Sequence, residues 1–390
     1  MSMTSRRNFL RITAAGAGAM LVAPQMVFAS VQSDRRFVFI IQRGAADGLH
    51  IVVPYAEPAY ATLRGPIAVD VSAGATGPAA TRLDGTFALH PSLQRTARLY
   101  AQRQALFVHA VATPYRDRSH FDGQNVLETG SNAPYSVRDG WLNRLVALVG
   151  PSRAQAIAFA PTVPAALRGK VDVASYAPSG LPSAPDDLLL RVGALYENDA
   201  QLGPLWRSAM SAHDMAGGTR AHGDAAGLGK VAAGFLARDD GPRIAMIETG
   251  GWDTHSGQTA RLAAQLKALD AMVGALHDGL GPVWAKTTVV VATEFGRTAA
   301  VNGTGGTDHG TASAAMLLGG GVRGGRVLAD WPGLRPADLY EGRDLQPTTS
   351  LDALLAGAAS ETFGLDPQRT GASLFPQTRQ TKPLTGLVTV

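Results

Sequence analysis

Six short runs of uninterrupted apolar residues constrain this chain most: "FVFII" (37 to 41), "ALFVHAVA" (105 to 112), "AIAFA" (156 to 160), "IAMIE" (244 to 248), "TTVVVAT" (287 to 293) and "AAMLLGG" (314 to 320). A strand with one wet face alternates apolar and polar residues, so continuous runs of this length predict strands covered on both faces. Between them lie segments with helical spacing. In "QTARLAAQLKALDAMVGALHDGL", Leu262, Leu266, Leu269, Val273, Leu276 and Leu280 recur at intervals of three and four. "PSLQRTARLYAQRQ" reads the same way, and "SLDALLAGAASETFG" has Ser350 placed to cap its start. Strands alternating with helices predict an α/β fold, three layers deep, with a parallel or mostly parallel sheet between helices.

The first residues do not fit that pattern. "SRRNFLR" followed by "ITAAGAGAMLVAP" and "VFAS" has twin Arg, an apolar stretch and a small-residue cleavage site, the signature of a Tat-type export signal over residues 1–29. That places the mature protein in the periplasm or outside the cell, with no transmembrane segment. Residues 30–390 then form a single domain, and the Pro-rich and Gly-broken stretch at about 161–242 reads as an insertion or cap. Removing Arg6, Arg7 and Arg11 takes the 35 basic residues to 32, against 31 acidic ones. A nearly neutral chain with no basic stripe excludes nucleic acid as a partner. The chain has no Cys, so neither disulfides nor thiolate ligands contribute.

Ligands of open α/β sheets bind beyond the carboxyl ends of the strands. The residues that follow the apolar runs are Asp47 and His50, then "TPYRDRSHFDGQ", then Asp253 and His255, then Glu294 and Arg297, and lastly Asp308 and His309. Each has a bland reading by itself. Asp47 could serve a turn, Asp253 could cap the helix beginning near Ser256, His309 could be a satisfied loop residue, and Arg118 a surface ion pair. Glu294 ends a strand as apolar as "VVVAT", where a carboxylate must be paired, hydrogen-bonded or metal-bound. Together Asp47, Asp253, His255, Glu294, Asp308 and His309 form a donor set of oxygen and imidazole, suited to a divalent cation such as zinc, magnesium, calcium or manganese. Arg116 and Arg297 suit the equatorial oxygens of a phosphate or sulfate, which would make a small anionic ester the substrate. Ser119 precedes an apparent helix, where it is either a nucleophile favoured by the helix amides or an ordinary N-cap. His120 beside it either donates to a leaving group or packs.

The motifs "RSHFDGQ", "GWDTHSGQ", "TEFGRT" and "GTDHG", in this order between about Phe37 and Gly325, resemble those of the DUF1501 family of exported bacterial proteins, in the alkaline phosphatase/sulfatase superfamily. The resemblance implies an alkaline phosphatase-like fold with metal ligands at strand ends, and an exported protein partner. It aligns Asp47, Ser119, Asp253 with His255, Glu294 and His309 with the superfamily's order of ligands and nucleophile. Two departures stand out. Phe295 occupies a position where the superfamily has a ligating His, and "ATPYR" has Ala112 where a sulfatase has its modified Cys. Two functions fit these residues: a metal-dependent hydrolase of phosphate or sulfate esters, and a non-catalytic binding or assembly protein that retains the fold.

Overall fold

A computed structural model describes residues 34–72, 79–150, 155–177, 186–197, 199–216, 224–378 and 382–389. The expected export signal lies outside these residues. Among them, no helix is long and apolar enough to cross a membrane.

The six apolar runs are all strands of one sheet: β1 (Arg36–Gln42), β2 (Ala105–Ala112), β3 (Ala156–Phe159), then β5 (Ile244–Thr249), β6 (Thr287–Ala292) and β7 (Ser313–Leu318). Three very short strands complete it: β4 (Ala174–Ser175), β8 (Arg326–Leu328) and β9 (Thr349–Ser350). The order is β8-β2-β7-β6-β1-β5-β3-β4, with β9 also paired to β2. Every pairing in this sheet is parallel except those of β7, which runs antiparallel to both β2 and β6.

β1 lies at the centre and all seven of its residues are buried. Because side chains alternate across a strand, Phe37, Phe39 and Ile41 enter one layer while Val38 and Ile40 enter the other. The first layer is built with helices α2 (His120–Thr129), α3 (Trp141–Val149) and α6 (Leu351–Phe363). The second uses α1 (Gln94–Ala101), α4 (Ala225–Leu236) and α5 (Gln258–Leu280). Each buried Val, Ile or Phe contributes about 1.5–3 kcal/mol, which is why two-sided burial selects continuous apolar strands. The stretch expected as a cap is partly built into this body: β4 extends the sheet beside β3, and α4 supplies Val231, Phe235 and Leu236 to the same core as Leu262, Leu266 and Val273 of α5.

The direction of β7 positions the site. A strand parallel to β6 would start at the opposite edge, whereas antiparallel β7 starts where β6 ends. Residues 293–312 therefore stay on the carboxyl edge as a ribbon. Gly296 N donates to Thr311 O at 2.8 Å, Gly310 N to Gly296 O at 2.8 Å, and Thr298 N to Asp308 O at 2.9 Å. Arg297 and His309 face each other across this ribbon.

Candidate metal centre

Four loop segments meet at the carboxyl edge. β2 leads to His120 at the start of α2, β5 leads to Asp253 and His255, β6 leads to Glu294 and Arg297, and the ribbon returns Asp308 and His309. His120, Asp253 and His309 each present a ligand atom within 4.8 Å of the others, a spacing that can hold a metal ion. His120 Nε2 is 3.5 Å from Asp253 Oδ2, and His309 Nε2 is 3.4 Å from Asp253 Oδ1. His255 adds a third imidazole, its Nε2 lying 3.0 Å from Asp253 Oδ1 and 2.9 Å from His309 Nε2. Four ligands about 2.0–2.1 Å from a tetrahedral zinc would stand about 3.3 Å apart. The separations of the three rings from Asp253, and of His255 from His309, bracket that figure, while His255 lies outside the group of three whose ligand atoms are all within 4.8 Å of one another.

The far side of each ring fixes which nitrogen faces inward. His120 Nδ1 lies 2.8 Å from Glu294 Oε1, His255 Nδ1 lies 3.1 Å from Asp308 Oδ1, and His309 Nδ1 lies 2.9 Å from the carbonyl of Arg118. All three partners are acceptors, so each Nδ1 directs its proton outward and each ring turns its Nε2 inward. His120 Nε2 is buried and has no hydrogen-bond partner. Three lone pairs converging on a carboxylate, with their outer nitrogens held by acceptors, form the arrangement that orients histidines around a metal. The donor set and the orphaned nitrogen both fit a cation.

The carboxylates divide into two roles. Glu294 is buried and its oxygens are occupied: Oε1 accepts from Gly44 N at 2.8 Å, from His120, and from Gln124 Nε2 at 3.1 Å, while Oε2 accepts from Thr293 Oγ1 at 2.9 Å. Burial pushes its carboxyl pKa up, but these hydrogen bonds, led by His120, outweigh burial and hold it below the usual value. The Glu294 hydrogen bond in turn raises the His120 pKa. Expected as a ligand, Glu294 instead faces the outer nitrogen of one. Asp308, also expected as a ligand, occupies the same place for His255 and accepts from Asn302 Nδ2 at 3.1 Å. Asp253 points inward. Burial raises its pKa, and Arg297 together with His255 and His120 reverses that shift. Burial, with the charges of His120 and Arg297, lowers the pKa of His309.

Asp47, the remaining expected ligand, lies in a different cluster. It is fully buried, forms a two-armed ion pair with buried Arg64, and accepts from Gln258 Nε2 at 2.6 Å. Gln258 Oε1 accepts from Thr254 Oγ1 at 3.0 Å and from Thr307 Oγ1 at 2.6 Å. Those threonines sit in the two loops that carry Asp253, His255 and His309. Asp47 is thus linked to the centre through Gln258, but none of its hydrogen bonds reaches the histidines. Neither Arg64 nor Gln258 stood out in the sequence, since Arg64 lies far from any strand end and Gln258 reads as an ordinary first residue of a helix.

The arginines expected to bind substrate have other partners. Arg297 is buried and donates to the carbonyls of Ala45 and Gly44 at 2.7 Å, Thr307 at 3.0 Å and Trp252 at 3.2 Å, and to Asp253 Oδ1 at 2.5 Å. It holds Asp253 in place. Gly44 makes this packing feasible: its φ is +119°, and a Cβ there would lie 2.7 Å from Asp253 N. Arg116 donates to the carbonyls of Thr113 and Tyr115. Ser119 is the N-cap residue of α2 but makes no side-chain cap hydrogen bond, and its N–H donates to Tyr115 Oη at 3.1 Å. Asp253 does not cap the next helix, which begins at Gln258 behind Gly257. Phe295 is buried and stacks on His120, with ring centroids 5.1 Å apart and planes 22° from parallel. It therefore forms a wall of the centre.

The fold and site together define an α/β protein with a candidate metal centre at the carboxyl edge of its sheet. The chain belongs to the family described as "Protein of unknown function (DUF1501)", whose model matches residues 34–373. A search of curated proteins finds no match. Among solved structures, the chain is similar to the C-terminal periplasmic domain of EcEptC from Escherichia coli in complex with Zn, at 9% identity over 75% of this chain and 74% of that one, with a TM-score of 0.39. It is similar to the alkaline phosphatase from the Antarctic bacterium TAB5, at 10% identity over 90% and 99%, with a TM-score of 0.36. It is also similar to the phosphonate monoester hydrolase of Agrobacterium radiobacter, at 11% identity over 86% and 74%, with a TM-score of 0.34. Likeness at this level carries no argument about activity, so the functional reading rests on the donor geometry.

Proposed function

We propose that the chain is an exported, metal-dependent hydrolase of phosphate or sulfate esters, its cation held by His120, Asp253 and His309 with His255 completing the set. The observation that carries this reading is the convergence of inward Nε2 atoms on Asp253 with acceptors behind every ring. Such a set needs a cation to offset lone-pair repulsion. Imidazole outnumbers carboxylate here, which favours zinc over magnesium or calcium, since the latter take oxygen ligands. When bound, the metal supplies Lewis acidity that draws charge from an ester oxygen. The chain's own residues set the geometry: Arg297 fixes Asp253, Glu294 fixes His120, and Phe295 keeps water from that ring. Ser119 is the proposed nucleophile, at the amino end of a ten-residue helix whose free N–H groups favour a developing anion.

A second reading is a metal-holding binding protein without catalysis, favoured by Arg297 having its donors committed to backbone carbonyls and to Asp253. One experiment separates the two. Purified full-length protein is assayed for metal content and for turnover of p-nitrophenyl phosphate, bis-p-nitrophenyl phosphate and p-nitrophenyl sulfate, before and after chelation. The hydrolase reading expects turnover that is lost on chelation, restored by zinc and abolished in Ser119→Ala. Full metal occupancy with no turnover of any ester would favour the binding protein.

A further inference from the structure

Residues 340–344 lie well beyond the last of the sequence motifs, yet they are joined to both ends of His309. They form a tight turn in which Arg343 N donates to Tyr340 O at 3.1 Å, Asp344 N to Tyr340 O at 3.0 Å and Tyr340 N to Asp344 O at 2.9 Å. The turn is attached to the ribbon that carries His309. Ala299 N donates to Arg343 O at 3.0 Å, Thr298 and Asp344 are bridge partners, and Thr311 Oγ1 donates to the carbonyl of Leu345 at 2.9 Å. From this turn, Arg343 Nη2 donates to the carbonyl of His309. At the other end, the His309 ring meets the carbonyl of Arg118, whose side chain is tied to the same turn. We infer that the turn is a clamp on His309, in which Asp344 is a positioning residue that acts through the backbone of Arg118. The inference rests on the metal reading for what His309 holds, but not for how His309 is held.

The backbone of Arg118 is the sensitive link. His120 and His255 have carboxylates behind their rings, whereas the acceptor behind His309 is a backbone carbonyl, and a planar peptide can be aimed only through the dihedral angles beside it. Arg118 has φ +61°, in the left-handed region that residues with a Cβ rarely adopt. Strain of this kind persists only where surrounding contacts over-determine it. The side chain makes those contacts: Nε donates to Asp344 Oδ2 at 2.9 Å, Nη2 lies 2.8 Å from the same oxygen, and Nη2 also donates to Glu341. Glu341 is 56% exposed in its side chain, whereas Asp344 is fully buried with Arg343 Nε 3.1 Å from its other oxygen. Exposed pairs hold weakly, so Asp344 is the firmer anchor. The arginine that reads in the sequence as a surface ion pair therefore has its guanidinium fixed to an interior carboxylate and its carbonyl against a proposed ligand.

The test exploits glycine, which adopts positive φ without steric cost. If the Arg118 side chain acts by holding its backbone, Arg118→Ala disturbs His309 and Arg118→Gly largely spares it. If only the ion pair matters, the two are equally impaired. Two readouts are taken on the full-length protein. In the metal-free protein at about pH 8, where imidazoles are neutral, nitrogen NMR of the labelled His309 ring reports which nitrogen carries the proton. The proton should stay on Nδ1 in the wild type and in Arg118→Gly, and become shared between the two nitrogens in Arg118→Ala. In a zinc competition assay, Arg118→Ala should bind about tenfold more weakly than the wild type and Arg118→Gly within about threefold of it. The ring readout is specific to His309, whereas zinc affinity also registers any shift of His120, two residues on. Asp344→Ala should match Arg118→Ala, and the double variant should be no worse than either, because the two residues act in series. The Arg118 pair decides the matter even where Asp344→Ala does not fold.

Ring signals unchanged in Arg118→Ala, or equal losses in Arg118→Ala and Arg118→Gly, would overturn the clamp. If the ring pattern is as expected while the protein binds no zinc, the clamp stands and the metal reading fails. If zinc binds tightly and Arg118→Ala changes neither readout, the reverse holds.

Discussion

Two acidic clusters flank the same loops, and they deal with a carboxylate in opposite ways. Asp47 is sealed in the interior and neutralised by Arg64, a cation the chain carries itself. Asp253 is 46% exposed in its side chain and faces three imidazole nitrogens that leave its second oxygen unneutralised. The first cluster is complete as folded. On the proposed reading, a cation completes the second. Arg64 takes both oxygens of Asp47, whereas Arg297 pairs with Asp253 Oδ1 and leaves Oδ2 facing His120 Nε2, and the two clusters should therefore respond differently to the same kinds of change.

The largest effect is expected for Arg64→Met, which leaves Asp47 buried without a counter-ion. Breaking a buried pair on one side costs about 3–5 kcal/mol. Urea unfolding of the metal-free protein should show that loss, and the double variant Asp47→Leu/Arg64→Met should recover at least half of it. A loss under about 1 kcal/mol would show that the cluster is not sealed as described. Asp253→Asn inverts the outcome. Asn still accepts from Arg297, so stability should change by less than about 1 kcal/mol, while zinc no longer co-purifies.

Next in size are the partners behind the rings. Glu294→Gln removes a charged acceptor from His120 and should weaken zinc binding by about 10–100-fold in a competition assay with a chromogenic chelator. Asp308→Asn does the same for His255, but its side chain is 58% exposed, so the change should fall at or below the lower end of that range. Equal effects at both positions would remove the distinction between a buried and an open partner.

Acidification sharpens the comparison further. Metal binding needs neutral imidazoles, so protons compete for the Nε2 atoms as pH falls through about 6.5, and His120, its pKa raised by Glu294, is protonated before His309, whose pKa burial lowers. Asp47 has the opposite sign. Its burial is outweighed by Arg64, which holds its carboxyl below the ordinary value, so its contribution to stability is present above about pH 4 and is lost only as pH falls further. Between pH 8 and pH 5 zinc should dissociate, and the urea midpoint of the metal-free protein should fall as well, because burial lowers the pKa values of His50, His90 and His109 to about 3, 4 and 4 and the unfolded chain alone takes up their protons near pH 6.5. That fall should be the same in Asp253→Asn; a fall that disappears in this variant would contradict the separation of the clusters.

Much of this fold was legible because two-sided burial leaves continuous apolar runs, and every long strand announced itself in that way. The direction of β7 was not legible, because "AAMLLGG" contains no information about which end pairs with which neighbour. That direction keeps His309 on the same edge as Glu294. β4, β8 and β9 escaped notice because two or three residues carry no periodicity. In the site, strand ends pointed to the right loops, but residue type could not separate an inward Asp253 from an outward Asp308, nor reveal that Arg64 had claimed Asp47. His120 was noticed as a proton donor. Its place among the inward nitrogens depends on Glu294 lying behind it, a contact between residues 174 positions apart.

The most direct test of the central claim is a zinc-edge anomalous diffraction measurement on crystals of the full-length protein grown with zinc. The account predicts one strong peak per chain within about 2.0–2.1 Å of His120 Nε2, His309 Nε2 and an Asp253 oxygen, with none at Asp47. A peak bridging Asp47, or no peak between the histidines at saturating zinc, would contradict it.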